Sequence, residues 1–402
     1  MGSYIINNLS KRGALMQNII DQLPEIATRI QSIRDIILAN IVLLGQIPAP
    51  TFGEKNRALA FLERLIEFQV DECSFDQYGN PLGIMKGTST SKPPIFVNAH
   101  LDTVFNKDIV YNFMVKENFI QGPGLCDNSF GVGVLASIPA ILKELNITLE
   151  SDLVLAGTIH SLGKGNYQGT RHLLKTWPTP IRGAVCIESI ELGLLNFFSN
   201  GMVRCDIKCS AIKEAPEKNR HNAILILNEV INNIMEICLP VRPSSKINIG
   251  TISGGEDYSI SAVTARLGIE LSSNSNKIVK SMLNNIKSII EDIGHKYVVD
   301  IKLNIISNLK PCRLNYDHPL VKTSVSILNK LDLEPIIEPK ESNISIFLAN
   351  NIPAINVGLT YGKNCYQGNA RLQIEPMYKG IAQLIGIIMA IDKGVCDEEL
   401  VA

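Results

Sequence analysis

From residue 198 to residue 306 the apolar residues change period in an order that constrains this chain more than any other feature. Residues 198–210 alternate as a strand does, 222–238 repeat at helical spacing, 246–253 and 263–272 alternate, 276–293 are helical, and 297–306 alternate again. The order βαββαβ is the split arrangement of a ferredoxin-like module, a unit able to close around its own core, and it predicts a separate domain within the chain. On either side the texture differs. Runs at 94–99, 153–159 and 184–187 are short, almost wholly apolar and β-branched, as strands covered on both faces are. Helix-like stretches at 131–144 and 169–177 lie between them, and segments at 320–331, 354–358 and 377–391 resume this texture. The fold class read from this is α/β: a layered domain of 1–195 and 309–402, with a mixed sheet flanked by helices, and an inserted βαββαβ domain of 196–308. Ahead of the first strand, 15–44 repeat at helical spacing with an interruption expected at Pro24, and 53–68 form a further helix.

A length of 402 residues exceeds what one hydrophobic core usually supports, which agrees with two domains. Lys and Arg total 38 against 39 Asp and Glu, and no basic block could neutralise a run of phosphates, which argues against nucleic acid. The apolar run 36–47 is too short to span a bilayer and ends at Pro48 and Pro50, so it reads as a buried helix rather than a membrane anchor. The first residues lack an apolar stretch leading to a small-residue cleavage site, so no secretory signal is read. Nine cysteines, scattered and never in a CxxC pair, suit free thiols in a reducing cytoplasm.

Four side chains stand where α/β sheets gather ligands, at or just beyond strand ends. His100 follows an apolar run, and Asp102, two residues on, can accept the ring's second proton and fix its tautomer. Asp127 sits in a Gly-rich turn before a helix, and Glu188 ends the strand that begins near Ala184. Placed so, these groups can converge at one sheet end; a hydrogen-bonded core pair is the bland reading of His100 and Asp102. His160 is a replacement metal ligand in one reading; in the other, the favoured one, it points to the other side, because neighbours on a strand face opposite ways. Cys126 and Cys365 are thiolate ligands or nucleophiles in one reading and inert buried thiols in the other. The mixed charges of Lys213, Glu214, Glu217, Lys218 and Arg220 read as a solvated loop, and SLGKGN at 161–166 lacks the spacing of a phosphate-binding loop.

Six segments in order carry a resemblance: IPAPTFGEKNRALAFLE at 47–63, DQYGNPLG at 76–83, FVNAHLDTVF at 96–105, GLCDNSFGVGVL at 124–135, LVLAGTIHSLGKGNYQGTRHLL at 153–174 and NNIPAINVGL at 350–359. Together they resemble the two-zinc peptidases and amidohydrolases related to aminoacylase, carboxypeptidase G and peptidase T. The resemblance implies that His100, Asp127 and Glu188 are the ligands of one zinc ion, Asp127 bridging to a second. It also implies departures. Where the family carries a general-base glutamate and then a glutamate ligand, this chain has Ser161 and Leu162; Tyr366 takes the place of the last histidine ligand. Lys213 falls near the lid histidine and Ser259 near the lid asparagine, Asn343 replaces an aspartate, and Arg266 remains in an arginine-compatible place.

The expected site therefore comprises Asp102, Ser161 and Tyr366 as catalytic candidates around a metal set of His100, Asp127 and Glu188. It holds at most one divalent metal, zinc, or none. The expected protein is a cytoplasmic homodimer, paired through its lid, that binds a small amide or amino-acid-like molecule with impaired or repurposed chemistry such as cyclisation or condensation. Its rivals are an inactive binding or scaffold protein and an ordinary metal-dependent amidohydrolase. Tyr366 is an acid or ligand in one reading and a filler of the lost metal's volume in the other.

Overall fold

The apolar runs flanking the insertion form the centre of a seven-stranded sheet. In a computed structural model, which describes residues 2–211, 221–339 and 342–398, its order is Glu72–Phe75, Pro81–Met85, Leu153–Thr158, Ile95–His100, Gly183–Ile190, Ala354–Thr360 and Leu195–Asn196. The four strands beginning at Leu153, Ile95, Gly183 and Ala354 are mutually parallel, and those outside them pair antiparallel. This is the mixed sheet the pattern predicts. The parallel strands are buried almost end to end because helices cover them, which explains why they read as continuous apolar runs rather than alternating ones.

Two long helices belong to this core. Phe130–Leu145 buries Phe130, Leu135, Ile138, Ile141 and Leu142, while Glu375–Asp392 buries Met377, Ile381, Leu384, Ile385 and Ile388. Each such side chain contributes about 1.5–3 kcal/mol when fully removed from water. The stretch Leu125–Leu145 is long and apolar enough to cross a membrane, but 89% of its most apolar window lies inside the protein, where it serves as a core helix. The run at 36–47 is also part of a packed helix, Arg34–Gly45, with Ile37, Leu38, Ile41 and Leu44 buried.

The interruption expected at Pro24 falls elsewhere. The helix Gly2–Arg29 runs through Pro24, and the break is a tight 3₁₀ turn at Ile30–Ile33. Leu23, Ile26 and Ile30 are all buried, so core packing on both sides of the proline outweighs the one hydrogen bond it removes. Sequence reading also passes over the short helix Ile344–Ala349 and a small sheet of Met114–Val115, Phe119–Gln121, Arg371–Gln373 and Gly362–Lys363. Strands of two or three residues show no period to detect.

The chain divides into two compact units, Met1–Phe198 with Arg313–Ala402, and Ser199–Cys312, where breaks after 195 and 308 were read from the pattern. The second unit is an antiparallel sheet in the order Ser245–Gly254, Thr264–Ser273, Gly201–Ser210, Asp300–Leu309, with helices Ala223–Met235 and Asn276–Tyr297 completing the βαββαβ order. Strand Gly201–Ser210 buries Val203, Cys205, Ile207 and Cys209 at alternate positions. The Ala223–Met235 helix buries Ala223, Ile226, Leu227, Val230 and Ile234, and Asn222 caps its first turn by accepting from the Ile224 N–H at 2.9 Å.

Candidate metal centre

Parallel register sets the site. Asn98 lies opposite Cys186 on neighbouring strands, so His100 and Glu188, each two residues further on, reach the same sheet end. Asp127 arrives from the turn Leu125–Ser129, which leads directly into the core helix. Ligand atoms of His100, Asp127 and Glu188 all lie within 4.8 Å of one another, and theirs is the single grouping of this kind among the described residues.

The turn that carries Asp127 is pinned to the strand that carries Glu188. The Asn128 side chain donates to the Ile187 carbonyl at 2.8 Å and accepts from the Ser189 hydroxyl at 2.8 Å; that hydroxyl in turn accepts from the Gly131 N–H at 3.1 Å. A Cβ on Gly131 would collide with the Asn128 carboxamide, so glycine permits this close approach. Asn128, Ser189 and Gly131 thus hold two of the donors together. The sequence reading missed all three, although two polar residues beside Glu188 and Asp127 in otherwise apolar segments were the available signal.

Asp102 holds the third donor. His100 Nδ1 is 3.0 Å from the Asp102 main-chain oxygen and 3.3 Å from its Oδ1, which turns Nε2 toward Asp127 Oδ1 at 2.9 Å. Burial works against the charged imidazole, but hydrogen bonds and charges from Asp102 and Asp127 overcome it and raise the His100 pKa well above its ordinary value. The other Asp102 oxygen, Oδ2, accepts from the Thr51 hydroxyl at 2.9 Å, the Ser161 N–H at 3.0 Å and the Leu162 N–H at 2.7 Å. Near Asp102 lies Arg57, fully buried and without a carboxylate partner among the described residues. It donates to the carbonyls of Ile47, Leu101 and Gly45 and to the Ser129 hydroxyl, and burial lowers its pKa to about 10. Its signal was its place on the apolar stripe of its helix, four residues before Phe61 and eight before Leu65.

Ser161 is 1% exposed, and its hydroxyl lies 3.5 Å from Asn343 Oδ1, an oxygen that also accepts from the Thr170 hydroxyl at 2.8 Å. Tyr366 is 79% exposed, which overturns the reading that it fills a buried volume. His160 does turn away: its main-chain N–H donates to Glu54 Oε1 at 2.8 Å and its ring Nδ1 is 3.1 Å from the Tyr78 hydroxyl. Ser259 and Arg266 are exposed, whereas Lys213 and the charged run around it lie outside the described residues.

One cysteine expectation is corrected. Cys126 and Cys365 are joined in a disulfide, so they are neither free thiols nor ligands. They are separated by 239 residues but their Cα atoms are 5.2 Å apart, a proximity made by the fold and invisible to spacing rules. The other seven are free, and burial pushes the Cys396 thiol up to about 12.

The donor set suits a metal: one imidazole nitrogen and two carboxylate oxygens, with the second ring nitrogen held by a buried carboxylate, are what a three-ligand zinc shell requires. Residues 96–390 match the model of the peptidase family M20/M25/M40. No curated protein sequence matches the chain. Among solved structures, a tripeptidase from Staphylococcus aureus is 18% identical with a TM-score of 0.70 over 90% of this chain and 99% of its own. The di-peptidase Dug1p from Saccharomyces cerevisiae is 9% identical with a TM-score of 0.75 over 92% and 98%. The YXEP protein of Bacillus subtilis, a dinuclear metal-binding peptidase, is 12% identical with a TM-score of 0.62 over 89% and 99%. At these identities the likeness is one of fold.

Proposed function

This chain belongs to peptidase family M20/M25/M40, and from that membership we propose a divergent member that binds a small amide or amino-acid-like molecule and takes one divalent metal ion, zinc, on His100, Asp127 and Glu188. The observation that carries the reading is the contrast within one loop: Ser161 and Leu162 hold Asp102 through their main-chain N–H groups, yet neither side chain offers a carboxylate to water or metal. A zinc ion bound there would supply Lewis acidity toward an amide carbonyl.

The chain's own residues set the limits. Asp102 orients His100, and Asp127 and Glu188 bring negative charge. The Ser161 hydroxyl faces the Asn343 amide oxygen, which is no base, so it cannot replace a carboxylate near neutral pH. Absence of a general base lowers hydrolysis by about 10²–10⁴-fold, which favours slow amide hydrolysis or a reaction that needs a polarised carbonyl without activated water, such as cyclisation or condensation. The test is turnover of dipeptides and N-acyl amino acids with added zinc, cobalt or manganese. Slow turnover that rises on Ser161→Glu supports the reading. Brisk turnover that survives both Ser161→Ala and Leu162→Ala contradicts it.

A further inference from the structure

A second cleft, of about 360 Å³, opens beside the strand end and is lined by Phe52, Glu54, Lys55, Phe75, Tyr78 and His160. That volume is in the range of small-molecule sites. Its wall is aromatic: the Phe52 and His160 rings lie 4.7 Å apart, and Tyr78 meets His160 edge-on at 5.4 Å. Two of these residues hold left-handed backbone, Phe52 at φ 72° and His160 at φ 52°. Such conformations are costly for bulky side chains and collect at binding sites. Phe52 is moreover 58% exposed, so core burial does not account for its strain.

The polar groups around the cleft are largely engaged with one another. Glu54 is buried and accepts the His160 N–H, with its second oxygen 3.5 Å from His160 Nε2. Tyr78 hydrogen-bonds Gln168, while Asp76 accepts the N–H groups of Tyr78, Gly79 and Asn80. Two cations remain. Lys55 lines the cleft, and Lys107 approaches Gly53, beside Phe52; neither has a carboxylate partner among the described residues. An aromatic wall with an ammonium at its edge suits a flat ring that carries negative charge.

We propose that this cleft binds a small aromatic carboxylate, its ring against Phe52, Tyr78 and His160 and its charge toward Lys55. None of the three metal donors lines this cleft, although Thr51 and Ser161, which hold Asp102, are the chain neighbours of its Phe52 and His160. Ligand-observed NMR titration of the full chain with indole-3-acetate, indole and tryptamine tests it. Indole-3-acetate is expected to bind about tenfold more tightly than tryptamine, the scale of one surface charge acting as attraction in one case and repulsion in the other. Lys55→Gln removes that preference while leaving indole binding unchanged. Phe52→Gly weakens all three ligands by about 5- to 10-fold, the worth of an aromatic contact. It keeps or raises the melting temperature, since glycine takes a positive φ freely. Binding persists in Glu188→Ala. Equal affinity for tryptamine, unchanged affinity in Phe52→Gly, or loss of binding in Glu188→Ala would each overturn the proposal.

Discussion

The two sides of the Asp102 carboxylate differ in what they ask of the sequence. On the side of Oδ1 stands His100, grouped with Asp127 and Glu188; the three side chains are themselves the donors, His100 held by Asp102 and the other two brought together by the Asn128 and Ser189 hydrogen bonds. On the side of Oδ2 stand Ser161 and Leu162, which contribute only main-chain N–H groups. Any residue but proline supplies that N–H, so the loop can lose reactive side chains without releasing Asp102. In the function proposed here, one side of Asp102 carries the donors and the other only the scaffold.

That contrast can be broken from either side. The largest effect is expected for Glu188→Ala or Asp127→Ala, each of which leaves two donors and should abolish stoichiometric zinc binding in calorimetry. Next comes Asp102→Asn, which keeps the shape but weakens the hold on His100; zinc affinity should fall by about 10–100-fold, as it does when an outer-shell partner is changed. Asn128→Ala strands the Ser189 hydroxyl and the Ile187 carbonyl in the core, and chemical denaturation should register a loss of about 1–3 kcal/mol, with weaker zinc binding alongside. The smallest effect belongs to Ser161→Ala, which preserves the main-chain bond to Asp102: zinc affinity should not change measurably. A large loss there would place the serine hydroxyl in the metal shell and erase the difference between the two sides.

Much of the architecture was legible because it rests on period. Buried parallel strands read as apolar runs, the βαββαβ insertion as alternation and helical spacing, and strand ends drew attention to His100 and Glu188. What the sequence hid depends on proximity created by folding. Cys126 and Cys365 meet across 239 residues, and the Arg57 guanidinium is satisfied by carbonyl oxygens rather than by a partner that a charge pattern could reveal. Pro24 misled for a related reason, since its local rule yields to Leu23, Ile26 and Ile30 packing on either side. Most residues of the second cleft lie in segments that carry the family resemblance, but no spacing among them marks a site. Its marks are two backbone angles and an exposed phenylalanine, none of which a spacing rule can report.

The central proposal is that the described residues of this site supply donors for one metal ion and no more. Native mass spectrometry of the full chain equilibrated with excess zinc, compared with Glu188→Ala to subtract surface binding, tests it most directly. One zinc ion per chain that vanishes in Glu188→Ala is the predicted result. Two ions per chain, both lost in that variant, would contradict the account.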